Sequence, residues 1–312
     1  MSAERSAWVF PGQNSVEEGM GKRLYESYAQ AREVFKAADR ILGFGITEIC
    51  VDGSLRDLES PHIAQPALVA TSIAYLAVLK VKNGAEIDSP GMILGHSTGE
   101  YSGLVAARSL LFADALRISH QRGQYLEDEA IEHPTSMIVV LGLVQEKINQ
   151  ICSFSGAEIA NVNSNKQMVL AGTTEAISVA ERKALDLRGR VLNIGINVGS
   201  HFSGAKPVAE KLARLLKEVH IEPPKIPIIA NATTNYVSTA DQVRKSLVDQ
   251  LTHTVHWLNM VLKARKDGAV KFSEIGPKAT LTGLIKRIAQ DSGLEVSAHS
   301  SEELLWQQEI KE

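Results

Sequence analysis

A serine set between two glycines is the first feature of this sequence that could carry chemistry. Gly95-His96-Ser97-Thr98-Gly99 has the pattern G-x-S-x-G. Met92-Ile93-Leu94 before it reads as a short strand, and the residues from Gly99 onward read as a helix, which is the context the pattern requires. A chain that turns from strand to helix in so few residues needs glycine where a Cβ would strike its neighbours. The turn pushes Ser97 out at the end of the sheet and aims the first N–H groups of the helix at its Oγ. A serine hydroxyl is a poor nucleophile at neutral pH and needs a base. Of the nine histidines, His96 adjoins Ser97, but adjacent side chains on a tight turn diverge, which suits a structural role. His62, His120, His133, His220 and His299 fall in helical or turn segments with nothing to support a catalytic part. His201 follows an expected strand, inside Gly199-Ser200-His201-Phe202-Ser203, and loops at strand ends are where α/β proteins place their chemistry. It is the preferred base; His253 and His256 are the alternatives.

The elements that must position these groups alternate between apolar runs and helical periodicity. Residues 8–10 form a run stopped by Pro11-Gly12, a strand and a turn. Residues 28–42, 67–81, 99–111 and 114–129 read as helices, with Asp114 near the start of the last, where the helix dipole favours an acid. The rhythm then changes. Strands are expected at 137–143, 158–162, 168–171 and 191–198, with helices at 145–154 and 174–187. The order β-α-β-β-α-β is the ferredoxin-like unit, here an insertion over residues 131–198. After it α/β alternation resumes, with helices at 207–219, 241–251 and 280–292 and strands at 226–230 and 270–275. The expected fold class is α/β. A mainly parallel sheet covered on both faces would be built from residues 1–130 and 199–312, and the smaller subdomain from 131–198.

Composition excludes several classes. With 312 residues the chain has room for one large domain or two, and 44% hydrophobic and 22% charged residues are ordinary globular values. A formal net charge of −3 supplies no global field for nucleic acid or an anionic membrane. Two cysteines, Cys50 and Cys152, make no disulfide framework and fit a reducing compartment. The start of the chain carries Glu4 and Arg5 with no apolar stretch behind them, so no targeting signal is expected. The apolar segment 67–81 is too short to span a bilayer and reads as a buried helix, so the expected location is the cytoplasm. Gly19-Met20-Gly21-Lys22 lacks the earlier glycine and the following Ser/Thr of a phosphate loop. No His/Cys cluster has metal spacing, and neither metal nor cofactor is expected.

Taken together, the motifs resemble those of the malonyl-CoA:acyl-carrier-protein transacylases, the stand-alone acyltransferases of fatty acid and polyketide synthesis. Phe10-Pro11-Gly12-Gln13 is similar to that family's F-P-G-Q-G-S, Gln65-Pro66-Ala67 to its Q-P-A, and Gly95 to Tyr101 to G-H-S-x-G-E-Y. Arg122-Gly123, Ser200-His201, Gln250-Leu251 and Glu274-Ile275-Gly276-Pro277 complete the set in order. The resemblance implies a hydrolase-like core with a ferredoxin-like insertion and the site in the cleft between them. It further implies that Ser97 takes a malonyl group from malonyl-CoA, with His201 as base. The carbonyl of Gln250 would orient His201, and the N–H groups of Gln13 and Thr98 would hold the oxyanion. The acyl group would then pass to the phosphopantetheine thiol of an acyl carrier protein. Arg122 would bind the free carboxylate of malonyl, since a guanidinium can grip a carboxylate bidentately. A monomer is expected.

The chain departs from the family at three places. Thr98 stands where a larger apolar residue is frequent, Asn14 replaces a glycine, and Lys278-Ala279 occupies a place where glycine is frequent. Ser200 is compatible with malonyl and, in some modular synthases, with methylmalonyl, so the acyl group stays open between malonyl, methylmalonyl and acetyl. The rival readings are a serine hydrolase such as a thioesterase, with Asp186 as the available acid, and a non-enzymatic carrier-binding module. Lys183, Arg188 and Arg190 are candidates for a basic patch facing an acidic carrier protein.

Overall fold

The computed structural model describes residues 5–82, 90–193 and 198–306. Strand β1 (Arg5–Phe10) is followed by helices α1 (Lys22–Ser27), α2 (Ala29–Leu42), α3 (Ile46–Asp52) and α4 (Pro61–Lys82). Strand β2 (Met92–Gly95) leads into α5 (Gly99–Ala106) and α6 (Phe112–Glu132). The middle of the chain is β3 (Thr135–Leu141), α7 (Gln145–Ser155), β4 (Glu158–Ser164), β5 (Gln167–Thr173), α8 (Thr174–Asp186) and β6 (Arg190–Asn193). The rest is α9 (Lys206–Lys217), β7 (Ile228–Ile229), β8 (Tyr236–Val237), α10 (Ala240–Thr252), α11 (Trp257–Lys266), β9 (Ala269–Glu274), α12 (Thr280–Ser292), β10 (Ser297–Ser300) and α13 (Ser301–Trp306).

Two sheets result. The larger has the order β10-β9-β1-β2-β7-β8, parallel except for the β7–β8 pair. Its strands are buried on both faces: Trp8, Phe10 and Ile93 pack with the helices of one side, and Ala7, Val9, Met92 and Leu94 with α11 and α12 on the other. That explains why these strands read as unbroken apolar runs. The smaller sheet is antiparallel, in the order β4-β5-β3-β6. The two-residue period of β3 divides its work. Ile138 and Val140 face the core under α7 and α8, while Met137 and Val139 face the other way, with Val169 and Phe202.

Registry in the large sheet decides where the chemistry sits. Phe10 lies opposite Gly95, and Leu94 opposite Ile229, so β1, β2 and β7 end at one edge. The residues that follow them, Gln13, Ser97 and Asn231, leave the sheet together, in keeping with the rule that open parallel sheets carry sites at their carboxyl ends.

Several elements differ from the sequence reading. The helix expected at 67–81 is α4, which begins at Pro61 and runs 22 residues. It is therefore long enough to cross a bilayer, but 78% of its apolar window is buried inside the protein. Pro66 sits within it and cannot donate to the carbonyl four residues back. That carbonyl, of His62, instead accepts from His120 Nδ1 at 2.7 Å, which gives His120 a structural part. The helix expected to reach residue 111 stops at Ala106. Arg108 takes φ 56°, and the N–H groups of Arg108 and Ser109 return to Val105 and Leu104, a helix stop made without glycine. Strand β7 is two residues, not the five expected. The last part of the strand expected at 191–198, residues 194–197, and the tail 307–312 lie outside the described residues.

Candidate active site

The turn after β2 is as tight as the glycine spacing suggests. A Cβ on Gly95 would lie 2.3 Å from the Glu100 nitrogen, and one on Gly99 would lie 2.1 Å from the Phe10 carbonyl oxygen. Ser97 adopts φ 51°, a left-handed conformation that costs a non-glycine residue on the order of 1 kcal/mol. Its N–H donates to Asn231 Oδ1 at 2.8 Å, which pins the strained residue. The N–H groups of Gly99, Glu100 and Tyr101 return to the carbonyls of His96, Ser97 and Thr98. The N–H of Thr98 is not drawn into that turn.

His201 arrives from the opposite side. It too has a positive φ, 65°, and its N–H donates to the Leu251 carbonyl at 2.8 Å. Its ring is 3% exposed and bonded at both nitrogens. Nδ1 donates to the Gln250 carbonyl, and Nε2 lies 2.7 Å from Ser97 Oγ. A carbonyl can only accept, so Nδ1 carries the hydrogen and the Nε2 lone pair is left to receive the serine proton. Burial pushes the imidazole down to about 3, and the Arg122 charge adds to that, while the Gln250 carbonyl opposes it. The imidazole is thus held neutral, the form a general base requires.

Arg122 lies on α6, where Gly123 allows a close crossing with α4. A Cβ on Gly123 would come within 2.3 Å of the His62 nitrogen. The crossing sets Arg122 against Gln65 on α4, and Nη1 donates to Gln65 Oε1 at 2.7 Å. Gln65 in turn donates to Gln13 Oε1 at 3.4 Å. Arg122 is 1% exposed, and its Nε and Nη2 have no hydrogen-bond partner among the described residues. Burial draws its pKa below the ordinary value, with Tyr101 and Glu100 opposing. A buried guanidinium with two donors unused is costly unless an anion completes it.

The sequence-derived residues meet in one place. Gln13, Ser97, Thr98, Arg122 and His201 border an inner cavity of about 50 Å3, together with Gln65, Leu126, Met137, Asn161, Val169 and Ser200. An outer cavity of about 550 Å3 adjoins it, sharing Gln13, Asn14 and His96, and is bordered by the small sheet, by the turns that follow β1 and β2, and by Lys278 and Arg287. Gln250 reaches the site through its carbonyl, while its side chain is buried and donates to Glu100 Oε2 at 2.7 Å. The alternative bases stand elsewhere: His253 is exposed and bonds Thr252 and the Asp249 carbonyl, and neither His253 nor His256 borders the inner cavity. Asp186 is exposed at the end of α8. His96 reaches across to the small sheet, its Nε2 2.9 Å from Asn163 Oδ1.

Four groups escaped the sequence reading as site residues. Gln65 and Glu100 lie inside recognisable motifs but were not given roles. Asn231 and Asn163 follow or occupy strands with no motif around them, and only the pairing of strands brings them to the serine and to His96.

A serine hydroxyl in hydrogen-bond contact with a neutral imidazole and a buried arginine with two unpartnered donors among the described residues thus share one cavity, next to a wider one. The comparisons with known proteins identify the family. The acyl transferase domain family matches residues 7–307. The malonyl CoA-acyl carrier protein transacylase of Escherichia coli strain K12 is 34% identical over 288 residues, 90% of this chain and 92% of that protein. The enzyme of the same name from Bacillus subtilis strain 168 is 32% identical over 288 residues, 90% of each. A malonyl-transacylase solved in complex with its type II polyketide acyl-carrier protein superposes with a TM-score of 0.91 at 32% identity, covering 98% of this chain and 99% of that one. On its sequence, its fold and the extent of these matches, the chain belongs to the malonyl-CoA:acyl-carrier-protein transacylases of the acyl transferase domain family.

Proposed function

We infer that this protein moves a malonyl group from malonyl-CoA to the phosphopantetheine thiol of an acyl carrier protein through an acyl-serine intermediate. Ser97 Oγ attacks the thioester carbonyl as His201 Nε2 takes its proton, giving a tetrahedral oxyanion. The N–H groups of Thr98 and Gln13 hold that oxyanion; loss of one such donor typically costs about 10²–10³ in rate. His201 returns the proton to the departing CoA sulfur, and the acyl-serine remains. The carrier thiol then repeats the sequence in reverse. No carboxylate is needed to orient the base, because the Gln250 carbonyl fixes its tautomer.

The observation that carries this reading is the buried Arg122 with two unused donors on the same cavity as the Ser97–His201 pair. A neutral acyl group would leave that charge uncompensated; a malonyl carboxylate completes it. The outer cavity of about 550 Å3 suits the pantetheine arm that both donor and acceptor share.

In this reading residues 131–198 are a ferredoxin-like subdomain, a label supported by the strand order β4-β5-β3-β6, and residues 1–130 and 199–312 are the hydrolase-like core. Exposed Arg188, just before the edge strand β6, and exposed Arg190, its first residue, would receive an acidic carrier. The enzyme works as a cytoplasmic monomer without a resident cofactor. The test is to incubate it with malonyl-CoA and phosphopantetheinylated carrier protein, and to measure both malonyl-carrier and free malonate. Malonyl-carrier should form first and in excess; malonate forming at the same rate with and without carrier would make the protein a hydrolase.

A further inference from the structure

Behind the serine and the histidine, on the side away from the cavity, lies a carboxylate with no contact to the reacting atoms. Glu100 is fully buried on the first turn of α5 and accepts three hydrogen bonds. Asn231 Nδ2 donates to Oε2 at 2.6 Å, Gln250 Nε2 to Oε2 at 2.7 Å, and Ser246 Oγ to Oε1 at 2.6 Å. Two of these donors belong to residues that hold the catalytic pair. Asn231 takes the Ser97 N–H on its Oδ1, and Gln250 takes His201 Nδ1–H on its carbonyl. We propose that Glu100 is a positioning residue that sets both arms of the Ser97–His201 pair: it fixes the sense of the Asn231 amide that holds the Ser97 N–H, and it anchors the side chain of Gln250, whose main-chain carbonyl holds His201.

The reason is that Oε2, which takes both amide NH2 groups, only accepts, in the carboxylate and equally when the acid is protonated on Oε1 toward Ser246. With Glu100 in place, Asn231 must turn its NH2 to Oε2, and its oxygen is then left facing Ser97. Turned over, Asn231 would set its oxygen against the carboxylate and its NH2 against the Ser97 N–H, two repulsive contacts between fully buried groups. Gln250 is constrained in the same way, and its Oε1, with no partner among the described residues, is the end left over. Ser97 sits in a strained conformation that needs an external hold, and Asn231 is that hold. A chain of buried hydrogen bonds with one polarity rigidifies when complete and fails as a unit when its central acceptor is lost.

The inference rests on the acyl-serine reading, and it is tested by single-turnover release of CoA from malonyl-CoA, with thermal melting to confirm folding. Wild-type acylation, absent in Ser97→Ala, tests the reading itself. Glu100→Ala should acylate about 10²-fold more slowly, since small misplacements of reacting groups cost this much, with KM for malonyl-CoA within a few fold. Glu100→Gln should recover most of the rate. Its oxygen can still accept from Asn231 and Gln250, and its NH2 can donate to Ser246, whose hydroxyl turns round. Asn231→Asp should acylate slowly, because it sets a second carboxylate against the first. Glu100→Gln combined with Asn231→Asp should act at least tenfold faster than Asn231→Asp alone, as the chain then runs in the opposite sense with Gln250 turned over. A folded Glu100→Ala that acylates at the wild-type rate, or one that changes only KM, overturns the proposal. If Glu100→Ala does not fold, the Asn231→Asp pair decides: a double variant no faster than the single overturns it.

Discussion

The Arg122 charge bears on the nearby His201 imidazole and on the proposed substrate, and this gives two expectations at the scale of single residues. Arg122 contributes to holding the imidazole down to about 3. Protonation therefore does not disable the base as pH falls through 6.5, the ordinary histidine value. Acylation measured as kcat/KM between about pH 5 and pH 8 should show no fall centred near pH 6.5, and a bound malonyl carboxylate, by offsetting the Arg122 charge, should move the limb for kcat above the limb for kcat/KM. A kcat/KM profile that drops tenfold per unit below pH 6.5 would contradict this. Arg122→Ala removes the charge partner proposed for that carboxylate, and malonyl transfer should fall by roughly 10²-fold or more, while acetyl transfer changes little. Equal losses with the two acyl groups would remove Arg122 from substrate recognition. The serine and its context were legible from spacing alone, because a strand-to-helix turn imposes glycines. Arg122 and Gln250 were not legible in that way. An arginine on a helix or a glutamine near a helix end has no local signature, and the family resemblance alone pointed to them.

At the scale of elements, strong periodicity marked most helices, while local chemistry without a sequence signal hid the remainder. The stop after α5 uses Arg108 in place of glycine, α11 follows α10 after only four residues, and β7 and β8 are two residues each. The motif Glu274 to Pro277 becomes intelligible only in three dimensions. The Glu274 carboxylate accepts from the N–H groups of Leu281 and Thr282 and so caps α12. In the proposed reaction, helix α6 divides a specificity task. Arg122 and Leu126 are four residues apart and share a face. Arg122 supplies the charge, and Leu126 borders both the inner cavity and a second, mainly apolar cavity of about 290 Å3 beside Phe202 and Val208. Leu126→Ala should join the two cavities, lower stability by about 2–5 kcal/mol as buried Leu→Ala changes do, and let Ser97 accept bulkier acyl groups. The checks are urea unfolding and acyl-serine formation with a series of acyl-CoA donors. An unaltered acyl range in a folded variant would show that another residue limits the pocket.

At the scale of the whole molecule, the site exists because the small sheet and the turns at the carboxyl ends of β1 and β2 border the same cavities. Hydrogen bonds between Val162 and Val255, Val255 and Ala160, and Thr254 and the Ile159 carbonyl tie β4 to the chain leading into α11. The pair His96 and Asn163 crosses the same gap beside the serine. The alternation of one sheet's pattern with a different one was visible in the sequence, but the way the two faces close on each other was not, since it depends on contacts between distant segments. Burial of titrating groups at this junction links folding to pH. The His201 pKa is depressed, so the folded protein refuses a proton that the unfolded chain accepts below 6.5. The stability this gives is present above that pH and is lost as pH falls toward about 3. Glu100 and Glu274, each pushed up by burial to about 7 from 4.5, act with the opposite sign, their contribution fading as pH rises through that window. Unfolding free energies of wild type and His201→Ala, measured from about pH 4 to pH 8, cancel the two acids. The wild-type advantage should shrink steadily below pH 6.5, and a constant difference would show that His201 titrates normally.

The central claim is that Ser97 Oγ, with His201 as its base and Arg122 as its anion site, takes up a malonyl group. Intact mass followed by peptide mapping, after brief mixing with malonyl-CoA, tests it most directly. The expected result is one malonyl group on the peptide carrying Ser97, absent from Ser97→Ala and cleared when carrier thiol is added. No adduct, or an adduct on another residue that persists in Ser97→Ala, would contradict the account.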